Sequence, residues 1–359
     1  MSTHFHTLKI AEIRRETPSA ISILFDVPEA ERETFAFRAG QHITLRADVG
    51  GEDLRRNYSL CVAPHEGQLR VAIKAIADGR FSRWANTALA AGDTIEVMPP
   101  HGSFSWDFDS AAQKHYVGFA GGSGITPVLS LLKTTLLEEP KSRFTLFYGN
   151  RASNEIMFLE EIAALKDRFL DRLEAYHFLE DEDDEDIALF NGRLDSGKLA
   201  ELLSGLIDAE DVDAAFICGP GPMMDAVETA LTAAGVPADR IKVERFTIDR
   251  PTDEQAAAER EIEKTAEGRK VEVTLEGRRR RITFDSAQGS ILENARAAGM
   301  QTPFACKAGV CATCRARLTS GEVHMKANYG LSPEEVAQGY ILTCQAVPMT
   351  DDVAVDYDA

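Results

Sequence analysis

The chain has 359 residues, 44% hydrophobic and 27% charged, and its 58 Asp plus Glu against 39 Lys plus Arg leave a formal charge of −19. That length accommodates two or three domains of ordinary globular composition, and an acidic chain without a basic face argues against nucleic acid as a partner. No apolar run approaches the length of a membrane span and MSTHFHTLKI at the start is not built like a secretory signal, so the expectation is a cytoplasmic protein with no membrane partner.

From residue 5 to about 100, short alternating segments at 21–25, 42–45, 69–76 and 94–97 are separated by turn residues, a pattern that predicts a small antiparallel barrel. Within it Arg56-Asn57-Tyr58-Ser59-Leu60 follows a polar turn. A guanidinium suits a pyrophosphate, an aromatic ring suits a flavin, and a hydroxyl can hydrogen-bond a reactive ring nitrogen. Such a pentapeptide is by itself also an ordinary exposed strand. Gly79-Arg80-Phe81-Ser82 then offers a glycine turn and a hydroxyl at a helix start, an anion site or a plain N-cap before Trp84.

Between residues 116 and 246 apolar strands alternate with helical stretches. Strands are predicted at 116–120, 144–148, 173–179, 216–218 and 241–243, and helices at 127–137, 155–165, 197–206 and 223–233. That alternation predicts a parallel sheet covered on both faces. Gly121-Gly122-Ser123-Gly124-Ile125-Thr126-Pro127 links a strand to a helix, where glycines admit a pyrophosphate and the helix terminus favours its charge, although the spacing is not GxGxxG. At the end of the next strand, Tyr148-Gly149-Asn150-Arg151 has no acid to hold a ribose 2′-hydroxyl. Arg151, with Ser153 nearby, can instead pair with a 2′-phosphate, which favours NADPH over NADH. Cys218-Gly219-Pro220 ends a later strand; alone, Cys218 reads as a small buried hydrophobe.

The acidic run at 180–186 (EDEDDED) reads as a solvated loop, and residues 247–268, poor in apolar side chains, as a linker with helical character around 255–264. From 269 onward eleven Lys plus Arg balance eleven Asp plus Glu, so the excess acid lies earlier. A hairpin is predicted from 270–275 and 281–284 around Glu276-Gly277, with Arg278 to Arg281 as charge protecting an edge strand. A helix follows at 290–298, stopped by Gly299.

Next comes PFACKAGVCATC, residues 303–314. Cys306, Cys311 and Cys314 form C-x4-C-x2-C, and Cys344 in YILTCQAV supplies a fourth thiol: the plant-type [2Fe-2S] spacing. Ala305, Ala308, Gly309 and Ala312 are small enough for the backbone to curl round a cluster and aim N–H groups at its sulfurs. Structural zinc would ask for two close cysteine knuckles, and only Cys311 and Cys314 form one.

In their order, Arg56-x-Tyr58-Ser59, Gly79-x-x-Ser82, the Gly121 to Pro127 turn, Cys218-Gly219-Pro220 and Glu244-Arg245-Phe246 resemble the ferredoxin-NADP reductase family, and the C-terminal part resembles a plant-type ferredoxin. The resemblance implies an antiparallel β-barrel binding FAD (1–110), an α/β parallel-sheet NADPH domain (111–246), a linker (247–268) and a β-grasp [2Fe-2S] ferredoxin domain (269–359). It implies Arg56, Gly79, Phe81 and Ser82 toward the FAD pyrophosphate segment, Tyr58 against the flavin and Ser59 near its reacting nitrogen. It implies Gly121, Gly122, Ser123, Gly124 and Thr126 on the nucleotide, Cys218, Gly219, Pro220 and Glu244 near the nicotinamide, and Phe246 over the flavin face. The four cysteines would hold the cluster, NADPH would be the donor, and a multicomponent di-iron oxygenase the acceptor. Two alternatives stand beside this: the reductase of another oxygenase, such as a Rieske-type hydroxylase, and a redox sensor or electron-transfer module without turnover.

Overall fold

The computed structural model describes residues 4–182, 188–246 and 253–359. Residues 183–186 of the acidic run and 247–252 of the predicted linker lie outside the described residues. The chain divides into two compact units, Met1–Phe246 and Thr247–Ala359.

The first unit begins with β1 (His6–Thr17), β2 (Ala20–Asp26), β3 (His42–Asp48), β4 (Asp53–Ser59), β5 (Leu69–Lys74), α1 (Arg80–Ala88) and β6 (Thr94–His101). The strands form one antiparallel sheet in the order β4-β3-β6-β1-β2-β5. Its two edges meet through a bridge between Leu60 and Val71, and Cys61 N–H donates to the Arg70 carbonyl at 3.0 Å, so the sheet curls into a barrel. Leu8, Ile10, Ile21, Ile23, Ile43, Leu45, Val71, Ile73 and Val97 fill it by their period-two alternation. The 12-residue β1 is absent from the predicted strands because its alternation is broken at a bulge between Ile10 and Glu12.

β7 (His115–Gly121), α2 (Ile125–Glu138), β8 (Arg143–Asn150), α3 (Leu159–Arg168), β9 (Leu173–Leu179), α4 (Ser196–Gly205), β10 (Ala214–Cys218), α5 (Gly221–Ala233) and β11 (Ile241–Glu244) complete the unit. The five strands are parallel in the order β11-β10-β7-β8-β9. Both faces are buried, one under α2 and α3 and the other under α4 and α5. The first of these cores also contains Ala39, Cys61, Ala72 and Phe104 from the barrel side, and Ser130 on α2 donates to the Val62 carbonyl at 2.6 Å. Barrel and sheet therefore meet through this one apolar cluster, while the barrel keeps a separate core of its own. Helix α3 starts at Leu159, later than the pattern predicts, because Phe158 takes a left-handed conformation with φ 59°.

The second unit opens with α6 (Asp253–Thr265), followed by β12 (Lys270–Leu275), β13 (Arg278–Thr283), α7 (Ile291–Ala297), β14 (Arg315–Ser320), β15 (Val323–Met325), α8 (Pro333–Ala337), β16 (Tyr340–Leu342), β17 (Ala346–Pro348) and β18 (Val353–Asp356). Sheet order β13-β12-β18-β14-β16, with β12 and β18 parallel and α7 packed on one face, is a β-grasp arrangement. The Arg278 to Arg281 run lies on the edge strand β13. Helix α6 falls in the stretch read as a linker and packs on this unit. Ile262 meets its core, Glu259 accepts from His324 at 3.1 Å, and Glu263 pairs with Lys326. Of the apolar residues in that stretch, Ile262 and Ala266, four apart, face the unit, too few to register as a pattern. Among the described residues no helix is long and apolar enough to cross a membrane.

Candidate functional site

In the barrel, β4 carries Arg56, Tyr58 and Ser59 toward one end. Arg56 is exposed, and its guanidinium donates to the Arg55 carbonyl at 2.7 Å. Tyr58 is half-buried with its ring 5.8 Å from that of Phe81; burial pushes its phenol pKa up, and nearby Arg56 opposes this. Phe81 is buried in the barrel core and supports Tyr58 from behind. Helix α1 begins directly after Gly79, and a Cβ there would lie 2.2 Å from Ser82 Oγ and 2.4 Å from Ile76 Cγ1, so a larger residue would have to turn those two side chains away. Ser82 Oγ donates to the Gly79 carbonyl and accepts from Ile76 N–H, both at 3.3 Å, pinning this turn to the strand before it. A helix N-terminus, a cationic side chain and a half-buried ring on one module suit a flavin dinucleotide.

The glycine turn after β7 is shaped by a second turn. A Cβ on Gly124 would lie 2.1 Å from the Cys218 carbonyl oxygen, one on Gly121 2.5 Å from Pro220 Cδ, and one on Gly219 2.9 Å from Gly121 N. These three glycines allow two strand-end turns to touch backbone to backbone. Gly122 differs: it has φ 51°, and a Cβ there would meet only Lys74 Nζ, at 3.9 Å. Tyr148 OH donates to the Gly122 carbonyl at 3.0 Å, and Thr126 Oγ1 to that of Ser123 at 3.0 Å, holding the turn ahead of α2. Gly121 and Gly149 are in register, so the turn and the end of β8 lie side by side at the carboxyl edge of the sheet. At that edge Asn150 is buried and its amide oxygen and nitrogen make no hydrogen bond.

Cys218 is fully buried, and burial, then Glu244, pushes its thiol pKa well up. It is in register with Glu244 on β11. Glu244 reaches the barrel, where Ser59 Oγ donates to Oε2 at 3.1 Å and His42 Nδ1 lies 3.5 Å from Oε1. Folding thus joins a serine and a carboxylate 185 residues apart. Asn57 Nδ2 bonds His42 Nε2 at 3.2 Å, and Thr44 Oγ1 donates to Asn57 Oδ1 at 2.8 Å. His101 packs edge-on against His42 at 4.3 Å, and burial followed by His42 pushes its pKa down to about 3. Phe246 is partly exposed at the end of this unit.

Arg151 and Ser153 face acids from the end of β9: Arg151 Nη2 bonds Asp181 Oδ2 at 3.2 Å, and Ser153 N–H and Oγ meet Glu182 Oε1 at 2.9 and 3.1 Å.

In the second unit Cys306, Cys311 and Cys314 sit on a loop between α7 and β14, with Cys344 just after β16. Lys307, Gly309 and Ala312 have φ of 56°, 74° and 52°, a succession of left-handed residues that curls the loop tightly. A Cβ on Gly309 would approach the Ala327 carbonyl oxygen to 2.9 Å. Among the described residues no three His, Cys, Asp or Glu are grouped as a single metal ion would require. The thiols, all free, instead stand two and two, Cys306 hydrogen-bonded to Cys311 and Cys314 to Cys344. The hydrogen bond from Cys306 is the main cause holding the Cys311 thiol well below its usual range, and that from Cys314 lowers Cys344. Four thiols in two pairs, once deprotonated, suit a binuclear cluster with two ligands for each iron. Ala308 N–H donates to Cys306 Sγ at 3.3 Å and Gln345 Nε2 to Cys344 Sγ at 3.5 Å, the contacts that help a cluster carry added negative charge.

Sequence reasoning missed Lys74, His42, Gly330 and Gln345. Lys74 stands by Gly122 and pairs with Glu155 at 2.8 Å, and a Cβ on Gly330 would press to 3.0 Å from Ala312 N. Gln345 is next to Cys344 in the chain; no local motif marks the other three, and only the fold brings them to their sites.

Comparison with known proteins gives three family matches in chain order: an oxidoreductase FAD-binding domain over residues 7–106, an oxidoreductase NAD-binding domain over 119–229, and a 2Fe-2S iron-sulfur cluster binding domain over 273–349. The chain is 45% identical to a subunit of the 1,2-phenylacetyl-CoA epoxidase of Escherichia coli, over 99% of both chains. It is 34% identical to the ferredoxin reductase component of 3-ketosteroid-9-alpha-monooxygenase of Rhodococcus rhodochrous, over 98% of this chain and 96% of that one. Among solved structures, phthalate dioxygenase reductase shares the fold with TM-score 0.58 and 24% identity over 98% of both chains. An intact type IV self-sufficient cytochrome P450 monooxygenase shares it at TM-score 0.71 and 24% identity, over 98% of this chain and 41% of that longer one.

Proposed function

The chain belongs to the ferredoxin-NADP reductase family, as an oxygenase reductase component with FAD-binding, NAD-binding and [2Fe-2S] domains, and we propose that it passes electrons from NADPH to the di-iron oxygenase that epoxidises phenylacetyl-CoA in phenylacetate catabolism. The carrying observation is the match along the whole length of the epoxidase component.

The chemical problem is one of electron number, since a nicotinamide gives up two electrons as hydride and an oxygenase metal centre takes them singly. When bound, FAD accepts the hydride and the [2Fe-2S] cluster relays single electrons, plant-type clusters lying near about −400 mV. The protein supplies position. In this reading Arg56 and the Gly79–Ser82 helix start hold the flavin pyrophosphate, and Tyr58 lies against the ring system. Ser59, held by Glu244, presents its hydroxyl to the reacting nitrogen. The open side of Gly122, with Lys74 beside it, receives the nucleotide pyrophosphate. Cys218 and Glu244 line the nicotinamide site, Phe246 covers the flavin face, and Arg151 takes the 2′-phosphate. Cys306, Cys311, Cys314 and Cys344 ligate the cluster. No part of the chain is assigned to phenylacetyl-CoA, which belongs to the oxygenase.

The test combines the anaerobically purified chain with the phenylacetyl-CoA oxygenase components, NADPH and air, and follows epoxide by mass spectrometry. Epoxide that depends on this chain is the expected result. Rapid reduction of cytochrome c without epoxide would leave a reductase serving another oxygenase, such as a Rieske-type hydroxylase. No turnover with either acceptor would favour a redox-sensing module.

A further inference from the structure

The end of β8 presents a small oxyanion site already filled by the protein's own carboxylates. Ser153 N–H and its hydroxyl converge on one oxygen, Glu182 Oε1, at 2.9 and 3.1 Å. The Arg151 guanidinium reaches Asp181 Oδ2 at 3.2 Å. The acids are not loosely placed. Glu180 N–H donates to the Asn150 carbonyl at 3.0 Å and Asp181 N–H to that of Arg151 at 2.7 Å, which ties the end of β9 to the end of β8. Glu180 itself turns to Arg193, so Asp181 and Glu182 are the two that face the donors.

A backbone N–H, a hydroxyl and a guanidinium are the donors a phosphate monoester uses. They lie one strand from the glycine turn at the carboxyl edge of a parallel sheet, where an adenosine ribose is carried in this architecture. We propose that Asp181 and Glu182 occupy, in the nucleotide-free protein, the donors that a nucleotide 2′-phosphate takes, and so set the preference between 2′-phosphorylated and unphosphorylated nicotinamide nucleotides. This rests on the assignment of Arg151 to the 2′-phosphate. A 2′-phosphorylated nucleotide must displace both carboxylates and then sit close to them. An unphosphorylated one leaves them in place. Neither acid is a catalytic residue; both act on which nucleotide the strand end accepts.

The test is calorimetric binding of 2′,5′-ADP and of 5′-ADP to the full-length holoprotein and to the double variant Asp181→Asn/Glu182→Gln. A second double variant, Glu160→Gln/Asp171→Asn, removes the same charge from exposed positions elsewhere on the unit. One exposed ion pair and one hydrogen-bonded carboxylate correspond to about a three- to seventyfold tighter Kd for 2′,5′-ADP once their charges are removed. The Kd for 5′-ADP stays within about twofold, and the charge-matched control shifts neither ligand. Unchanged 2′,5′-ADP binding in the Asp181/Glu182 variant, or an equal gain for both ligands, overturns the proposal. Cytochrome c reduction by NADPH and by NADH is measured on the same samples. Good turnover with unshifted Kd values removes only the selectivity role, whereas no turnover with either nucleotide removes the reductase reading beneath it.

Discussion

Two glycines in one turn should fail in different ways. At Gly124 a methyl group would lie 2.1 Å from the Cys218 carbonyl oxygen and 2.4 Å from its carbon. Ordinary contact needs more than an ångström of further separation, and both partners are backbone. The Gly124→Ala change must therefore push the Cys218–Pro220 turn away from α2 and strain the pairing of β10 with β7, at a cost of about 1–3 kcal/mol or more for an overpacked interior. At Gly122 the same methyl meets only the tip of Lys74, at 3.9 Å, and the cost of Gly122→Ala is the left-handed φ of 51°, about 1–2 kcal/mol. That methyl projects on the side where Lys74 and a pyrophosphate would meet, so nucleotide affinity should fall by about tenfold or more, the equivalent of about 1.4 kcal/mol. Urea denaturation gives the stability of each variant, and titration with NADP+ gives the affinity. Gly124→Ala should lose chiefly stability; Gly122→Ala should lose affinity out of proportion to its stability. Equal affinity losses, or a Gly124→Ala protein as stable as the parent, would refute the division of labour in this turn.

Other perturbations separate the modules. Arg56→Ala should yield protein depleted in FAD, read from the ratio of flavin absorbance to protein, and full occupancy would remove Arg56 from the pyrophosphate. Cys311→Ser should abolish electron delivery to the oxygenase while anaerobic flavin bleaching by NADPH continues; loss of both would mean that the modules do not act in series. Neutral, buried His101, with its pKa near about 3 against an ordinary 6.5, adds stability that is present above pH 6.5 and is lost as pH falls toward 3. The loss due to this group at pH 5 is about 2 kcal/mol, so His101→Asn should flatten the acid limb of stability against pH; an unchanged slope between pH 6.5 and 4 would contradict the burial argument.

The cluster loop was legible because its determinants are local. C-x4-C-x2-C and the small residues between the thiols specify a curl within a dozen positions, and the left-handed Gly309 is part of that same stretch. The parallel sheet was legible for a similar reason, since strands buried on both faces are written as apolar runs. Strand β1 was not, because a bulge breaks its alternation, and α6 was not read as packed structure, because Ile262 is the one described residue by which it meets the core.

The sequence by itself determined the order of the modules, the four thiols and the residue types available for flavin and nucleotide, since each depends on neighbours a few positions apart. Which groups meet was decided only by tertiary structure. The Ser59–Glu244 hydrogen bond, the seat of His42 beside it, the closure of the Gly124 turn on Cys218, and the filling of the Arg151 and Ser153 donors by Asp181 and Glu182 all join distant segments. The first two exist because the barrel packs against the end of β11, the last two because strands far apart in the chain end at the carboxyl edge of one sheet, and register and burial there follow from packing of the whole unit rather than from any local pattern.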